Sequence, residues 1–221
     1  MRVISATDLA RLSPYRDIIE ALRAGFRAGA NVPPRHHHQT STATTLLLMP
    51  AWTDRFTGIK TVTVKSDNAA LGFPVVQGSY LLIDNASGAP VAVMDGTELT
   101  RRRTAAASAL AADYLARPDT SNMVMVGAGA LSRHFVRAHA CVRPIKTVTV
   151  YSRTIANSET VAADLRADGL DASATDDLEG AVRTADLVSC ATGSRAATES
   201  HLSLPANSAP VAAAFERSSS K

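Results

Sequence analysis

The 221-residue chain is 46% hydrophobic and 19% charged, with a net charge of +3, which suits a globular protein able to bury a sizeable core. Aromatic residues make up only 5% of it, too few for a base-stacking platform, so no nucleic acid is expected as a partner. The N-terminus carries charges throughout, the longest apolar run near LLLMPAW is far short of the ~20 residues a membrane helix needs, and Cys141 and Cys190 stand far apart in no metal-ligand spacing; a cytoplasmic protein with free thiols and no membrane contact is expected.

Two regions are predicted, 1–118 and 119–221. In the first, SPYRDIIEALRAGFRAG reads as a helix with Ser13 as cap and Pro14 as first helical residue, and Ile18, Leu22 and Phe26 recur on its apolar stripe. TTLLLMPAW, GIKTVTVKS and VVQGSYLLIDN…GAPVAVMDG then read as strands, the last two joined by the turn NASG. In IKTVTVK, Lys60, Val62 and Val64 share one face. An Ala-rich helix, TELTRRRTAAASALAADYLA, follows.

The second region alternates short strands with ten- to fifteen-residue helices: MVMVG, ALSRHFVRAHACVR, TVTVYS, SETVAADLRADG, DASAT, DLEGAVRTA and DLVSCATG. That alternation predicts parallel βαβ units. At its head, VGAGALSRH places Gly127 and Gly129 between a strand and a helix. Gly127 is suited to a tight turn, Gly129 to close approach of a pyrophosphate, and Ser132 stands where a third small residue is needed. The next strand ends in Ser152, Arg153 and Thr154 with no carboxylate. An arginine and two hydroxyls suit a ribose 2′-phosphate, so NADPH is the favoured cofactor, with NADH a possible one.

The basic residues of the first region divide. Arg101 and Arg102 read as a solvated charge run. Arg103 shares a helical face with Leu99 and Leu110, and an arginine on an apolar stripe needs a partner, either a structural carboxylate or an anionic substrate. Lys60 poses the same problem on its strand. Arg35 follows Pro33 and Pro34. His36, His37 and His38 would point alternately away from one another on an extended segment, and no metal site is expected there.

Together the stretches ISATDL, PPR, LLLMPAW…GIKTVTV, DGTELTRRRTAAASALAADYLAR, VGAGALSRH, VYSRT and DLVSCATGS resemble the ornithine cyclodeaminase/mu-crystallin family over nearly the whole chain. LMPAW, SDNAALGFP, AHACVRPIKTVTV and SCATG look most like its bacterial Δ1-pyrroline-2-carboxylate reductases. The resemblance implies an N-terminal α/β domain that binds substrate and forms a homodimer, followed by a Rossmann domain. It implies reduction of a small cyclic imino acid, with a five- or six-membered ring, to L-proline or L-pipecolate. It assigns Arg35, Lys60 and Arg103 to the substrate carboxylate, and gives Lys60 the role of proton donor or electrostatic stabiliser. Cofactor contacts are implied at Arg103, Thr104, Gly127, Gly129, Ala130, Leu131, Ser152, Arg153, Thr154, Asn157, Ala191, Thr192 and Gly193. The family's next strand aligns with residues 204–215, where Ala206 and Ala213 replace glycines. Its later elements have no counterpart, so an incomplete Rossmann domain is expected. An inactive member and a mu-crystallin-like binder of NADPH and a small ligand are the alternatives. Phe215 stands near the position of a carboxylate used in cyclodeamination, which argues against that reaction.

Overall fold

The computed structural model describes residues 1–192, which fall into two units, Met1–Arg103 and Thr104 onward. The first unit is built on a six-stranded sheet. Strand β1 (Arg2–Ile4) is followed by helices α1 (Ala6–Leu12) and α2 (Tyr15–Ala28). An antiparallel meander then runs through β2 (His36–Ser41), β3 (Thr44–Trp52), β4 (Phe56–Lys65), β5 (Val76–Asp84) and β6 (Pro90–Asp95). The strand order is β1-β6-β5-β4-β3-β2, with β1 parallel to β6. The expected strands and the turn between β5 and β6 are all present.

Local chemistry at the N-terminus differs from expectation. Ser13 does not start α2. It ends α1, where its hydroxyl donates to the Leu9 carbonyl, and Pro14 takes the cap position of α2. No side chain caps α2; instead the Asp17 and Ile18 backbone N–H groups both donate to the Pro14 carbonyl at 3.1 Å. The cap that sequence reading missed is Ser5, whose hydroxyl oxygen accepts from the Asp8 backbone N–H at 3.1 Å. On α2 the buried residue is Ile19. Phe26 lies on the same helical face seven residues later yet is 72% exposed, so the last turns of α2 are uncovered in this unit.

Helix α3 (Gly96–Leu115) opens on Asp95, whose carboxylate accepts from the Glu98 backbone N–H at 2.6 Å. Its later turns belong to the second unit, where Ala105, Ala106, Ala109 and Ala112 are fully buried. Small residues let a helix approach its neighbours closely. They also carry little amphipathic signal, which is why the buried face was hard to read.

The second unit continues with β7 (Asn122–Val126), α4 (Ser132–Ala140), β8 (Thr147–Tyr151), α5 (Ile155–Ala167), β9 (Asp171–Thr175), α6 (Leu178–Thr184) and β10 (Leu187–Cys190). The four strands are parallel in the order β10-β7-β8-β9. Met123, Val124, Met125 and Val126 are all buried, as expected for a central parallel strand covered on both faces. Val124, Val126 and Val188 pack against Leu178, Ala181, Val182 and Ala185 around α6. Ion pairs Arg133–Asp164 and Arg137–Asp168, each 2.6 Å, tie α4 to α5. Asp186 holds the start of the sheet: its carboxylate accepts from the Ser121 and Asn122 backbone N–H groups at 3.0 Å each and from Arg117 at 2.7 Å. Those two backbone donors, aided by Arg117, keep its carboxyl below the usual carboxylate range.

Candidate functional site

In the first unit the register of the sheet builds a row of side chains. Met49 pairs with Lys60, Lys60 with Tyr80, and Tyr80 with Met94. Directly opposed residues project from the same face, so these four stand side by side. Helix α3 brings Leu99, Thr100 and Arg103 to that face. Lys60, Tyr80, Met94, Leu99, Thr100 and Arg103 line a cavity of about 320 Å³, at the small end of the range for small-molecule sites. Two cations thus stand among apolar walls, the arrangement for a small carboxylate with a hydrocarbon body.

The arginines of α3 are not arranged as the charge run suggested. Arg102 is the anchored one. Its guanidinium donates to Glu98 at 2.7 Å and to the Ser13 carbonyl at 3.1 Å, and stacks 5.0 Å from the Tyr15 ring. Its side chain is only 13% exposed. Arg101 sits farther from Glu98, at 3.9 Å. Arg103 is exposed overall while reaching the cavity. The helix buries its alanine face, and Arg103 lies at the edge of that face.

Arg35 is exposed in the extended segment before β2 and is not part of the cavity wall. The last pair of β2 with β3 is His36 with Leu48. The next pair along these segments, Asn31 with Trp52, is one residue off that register. The ring planes of His36 and His38 stack with centroids 6.4 Å apart, so these two side chains share one face of the edge strand.

Tyr80 was not singled out in the sequence. Its phenol lies low across Gly58: a Cβ on that glycine would fall 1.7 Å from the Tyr80 hydroxyl oxygen and 2.5 Å from Cζ. Burial pushes the Tyr80 hydroxyl up from its ordinary value, so it stays protonated at neutral pH.

In the second unit, β7 runs into a turn at Gly127, which has φ of 113°. This is left-handed backbone that favours glycine. A Cβ there would lie 2.7 Å from the Ala191 carbonyl oxygen. Gly127 N–H donates to the Tyr151 carbonyl at 2.7 Å, which fixes the turn to the end of β8. Gly129 has open space where a Cβ would project. Ala130 is exposed, and Leu131 precedes α4 with no side chain capping the helix. Ser132, fully buried, donates its hydroxyl to the Gly127 carbonyl at 2.7 Å. The serine therefore does more than fit: it ties the helix to the turn.

At the end of β8 the Ser152 hydroxyl is engaged by the Thr154 carbonyl at 2.9 Å and by Ser158 at 2.8 Å. Arg153, Thr154 and Asn157 are exposed there. Ala191 N–H donates to Val126 at 2.9 Å, which brings Ala191 and Thr192 to the Gly127 turn. Gly193, and the expected strand at 204–215 with Phe215, lie outside the described residues. Thr104 is buried, and its hydroxyl has no hydrogen-bond partner among the described residues. Open space at Gly129, uncapped amides at the start of α4 and the orphaned Thr104 hydroxyl all fit a dinucleotide.

Residues 2–204 match the sequence profile of the Ornithine cyclodeaminase/mu-crystallin family. The chain belongs to this family. It is 38% identical over 187 residues to a Delta(1)-pyrroline-2-carboxylate reductase of Paracoccus denitrificans, covering 84% of this chain and 58% of that one. The Thermococcus litoralis Delta(1)-pyrroline-2-carboxylate reductase, solved with NADH and L-proline, superposes with a TM-score of 0.80 at 30% identity, over 88% of this chain and 63% of that one. An archaeal alanine dehydrogenase dimer with bound NAD superposes with a TM-score of 0.78 at 26% identity, over 87% and 60%. The chain thus spans roughly half to two thirds of the length of the relatives it matches. Its fold is that of the family: an α/β domain followed by a Rossmann-type domain.

Proposed function

We propose that the chain reduces a cyclic imino acid, Δ1-pyrroline-2-carboxylate or its six-membered analogue Δ1-piperideine-2-carboxylate, to L-proline or L-pipecolate. The observation that carries this reading is the cavity in which Lys60 and Arg103 stand among Met94, Leu99 and the Tyr80 ring. Arg103 binds the α-carboxylate, in a geometry that a guanidinium can make bidentate. Arg35, in the extended segment before β2, is the second guanidinium proposed for the same anion. Lys60 stands on the strand face beside the substrate. Its ammonium either donates the proton that the imine nitrogen needs or stabilises the charge there. Met94 and Leu99 exclude water from the ring.

A reduced nicotinamide, when bound, supplies the hydride. Gly127, Gly129, Ala130 and Leu131 would hold its pyrophosphate, with Ala191, Thr192 and the Thr104 hydroxyl toward the nicotinamide end. Ser152, Arg153, Thr154 and Asn157 would take the adenosine ribose. Exposed Arg153, with no carboxylate ending β8, supports a preference for NADPH over NADH. A homodimer through the first unit is supported by its uncovered elements. Strand β2 is exposed throughout, and Phe26 and Val32 are more than 70% exposed. Among the described residues no helix is long and apolar enough to cross a membrane.

The test is a titration of the purified chain with NADPH and with NADH, followed by reduced-nicotinamide fluorescence, and then addition of Δ1-pyrroline-2-carboxylate. Saturable binding and loss of fluorescence on adding the imine are expected. Binding without turnover would favour a ligand-binding role like that of mu-crystallin. Binding of neither cofactor would overturn the reading.

A further inference from the structure

The cavity in the first unit has a floor that the carboxylate-binding residues do not explain. Tyr80 stands between Lys60 and Met94 in the row Met49, Lys60, Tyr80 and Met94, and it lines the cavity. Its phenol does not stand up from the sheet. It leans diagonally toward Gly58, which pairs with Leu82 two residues along from Tyr80. The hydroxyl oxygen and Cζ fall 1.7 Å and 2.5 Å from where a Gly58 Cβ would be, so the tip of the phenol occupies the volume of the missing side chain. No real Cβ approaches another heavy atom so closely. A residue other than glycine at position 58 must therefore lift the phenol away from the sheet, and the cavity lies on that side. Gly58 is buried and mid-strand, where glycine otherwise weakens a strand and packs nothing. Receiving the Tyr80 ring gives it a purpose.

We infer that Tyr80 is a specificity-determining residue whose ring, laid flat by Gly58, forms the platform on which a planar cyclic imino acid packs. The inference rests on the reading of this cavity as the imino acid site. A five-membered ring with an sp² carbon and nitrogen is nearly flat and a six-membered one is a shallow half-chair, so an aromatic surface gives either contact over a whole face. An acyclic imino acid of the same charge keeps the imine plane but lacks the ring methylenes that extend that face across the aromatic surface. The charged groups at Lys60 and Arg103 recognise the carboxylate in either case, so discrimination between the two classes falls to the floor. The phenol hydroxyl rests over Gly58 and is not required for the packing, so phenylalanine should serve as well.

The experiment compares the 221-residue chain and its Tyr80→Phe, Tyr80→Ala, Gly58→Ala and Gly58→Ala/Tyr80→Ala variants. Each is assayed for kcat and KM with Δ1-pyrroline-2-carboxylate and with an acyclic imino acid formed from pyruvate and methylamine. L-Proline binding is measured in parallel by calorimetry. Tyr80→Phe should keep kcat/KM for the cyclic imine within about threefold. Tyr80→Ala should raise KM for it about thirtyfold or more while changing the acyclic imine little. Gly58→Ala should lose both substrates by lifting the phenol. The double variant should recover the acyclic substrate, because removing the ring relieves the clash.

Equal losses on cyclic and acyclic substrates in Tyr80→Ala would overturn the inference, as would a double variant no better than Gly58→Ala alone. If Gly58→Ala does not fold, the contrast between Tyr80→Phe and Tyr80→Ala decides. If the unsubstituted chain turns over no imine, the functional reading fails separately. The floor is then judged by L-proline binding, which should be retained in Tyr80→Phe and lost in Tyr80→Ala.

Discussion

Gly127→Ala and Gly129→Ala separate what the glycine turn does for folding from what it does for a ligand. At Gly127 two penalties act together. A φ of 113° is strained for any L side chain, at a cost of about 1–3 kcal/mol. The new methyl also lies 2.7 Å from the Ala191 oxygen and 3.0 Å from its carbonyl carbon. Those are backbone atoms following β10, so β7 and β10 must part at their ends, and overpacking of this kind costs about 1–3 kcal/mol. The sum is about 2–6 kcal/mol, or a fall in unfolding midpoint of upward of about 5 °C for a chain of this size. Gly129 has neither problem: its φ is not left-handed and the space beside it is open. Alanine there should leave the midpoint unchanged or slightly raised, since it restricts the unfolded chain. The same methyl occupies the approach of the pyrophosphate, so NADPH affinity should fall on the order of tenfold or more. Thermal unfolding by circular dichroism and a fluorescence titration give both readouts. Equal thermal losses in the two variants would refute the reasoning, as would unchanged NADPH affinity in Gly129→Ala.

Further outcomes follow from the same structure. Burial pushes the His139 imidazole down to about 4. The unfolded chain, with an ordinary value near 6.5, therefore takes up the proton first as pH falls. The histidine's contribution is complete above about pH 6.5 and is lost progressively toward about pH 4, for a total of about 3 kcal/mol. In urea unfolding at pH 7 and pH 5, His139→Gln should show a smaller loss between the two pH values than the parent chain; an identical loss would refute this. Arg102→Ala should cost about 1–3 kcal/mol in chemical denaturation, since it removes the closer partner of Glu98 and bares the Tyr15 ring, whereas Arg101→Ala should stay within about 0.5 kcal/mol. Arg153→Ala should raise the KM for NADPH about tenfold and leave that for NADH nearly unchanged, measured in steady-state assays.

The Rossmann unit was largely legible because each of its signals is local. An apolar run, two glycines and a helix stand next to one another in VGAGALSRH, and the alternation of strands and helices repeats on a short period. Strands β3 to β6 of the first unit were legible for the same reason, whereas β2, whose polar sequence HHHQTS carries no apolar alternation, was not. The cavity was only half legible. Lys60 and Arg103 stood out as charges on apolar faces, but Tyr80 and Gly58 did not. Their relation depends on the register of β4 against β5 across the long connection 66–75, which residue patterns do not fix. The anchoring of Arg102 was hidden likewise, since its partner Ser13 is far away in the chain. The buried pair Ser108 and His139 is a similar case. The His139 Nδ1–H donates to the Phe135 carbonyl at 2.7 Å, leaving Nε2 to accept from Ser108 at 3.4 Å. Nothing local links α3 to α4.

The most direct test of imino acid reduction follows the hydride. The purified chain is incubated with Δ1-pyrroline-2-carboxylate and NADPH deuterated at the transferable C4 position, and the product is examined by mass spectrometry and NMR. L-Proline carrying one deuterium at Cα is expected, and Lys60→Met should abolish it. Absence of labelled proline, with the chain folded and NADPH bound, would contradict the assignment of this cavity to imino acid reduction.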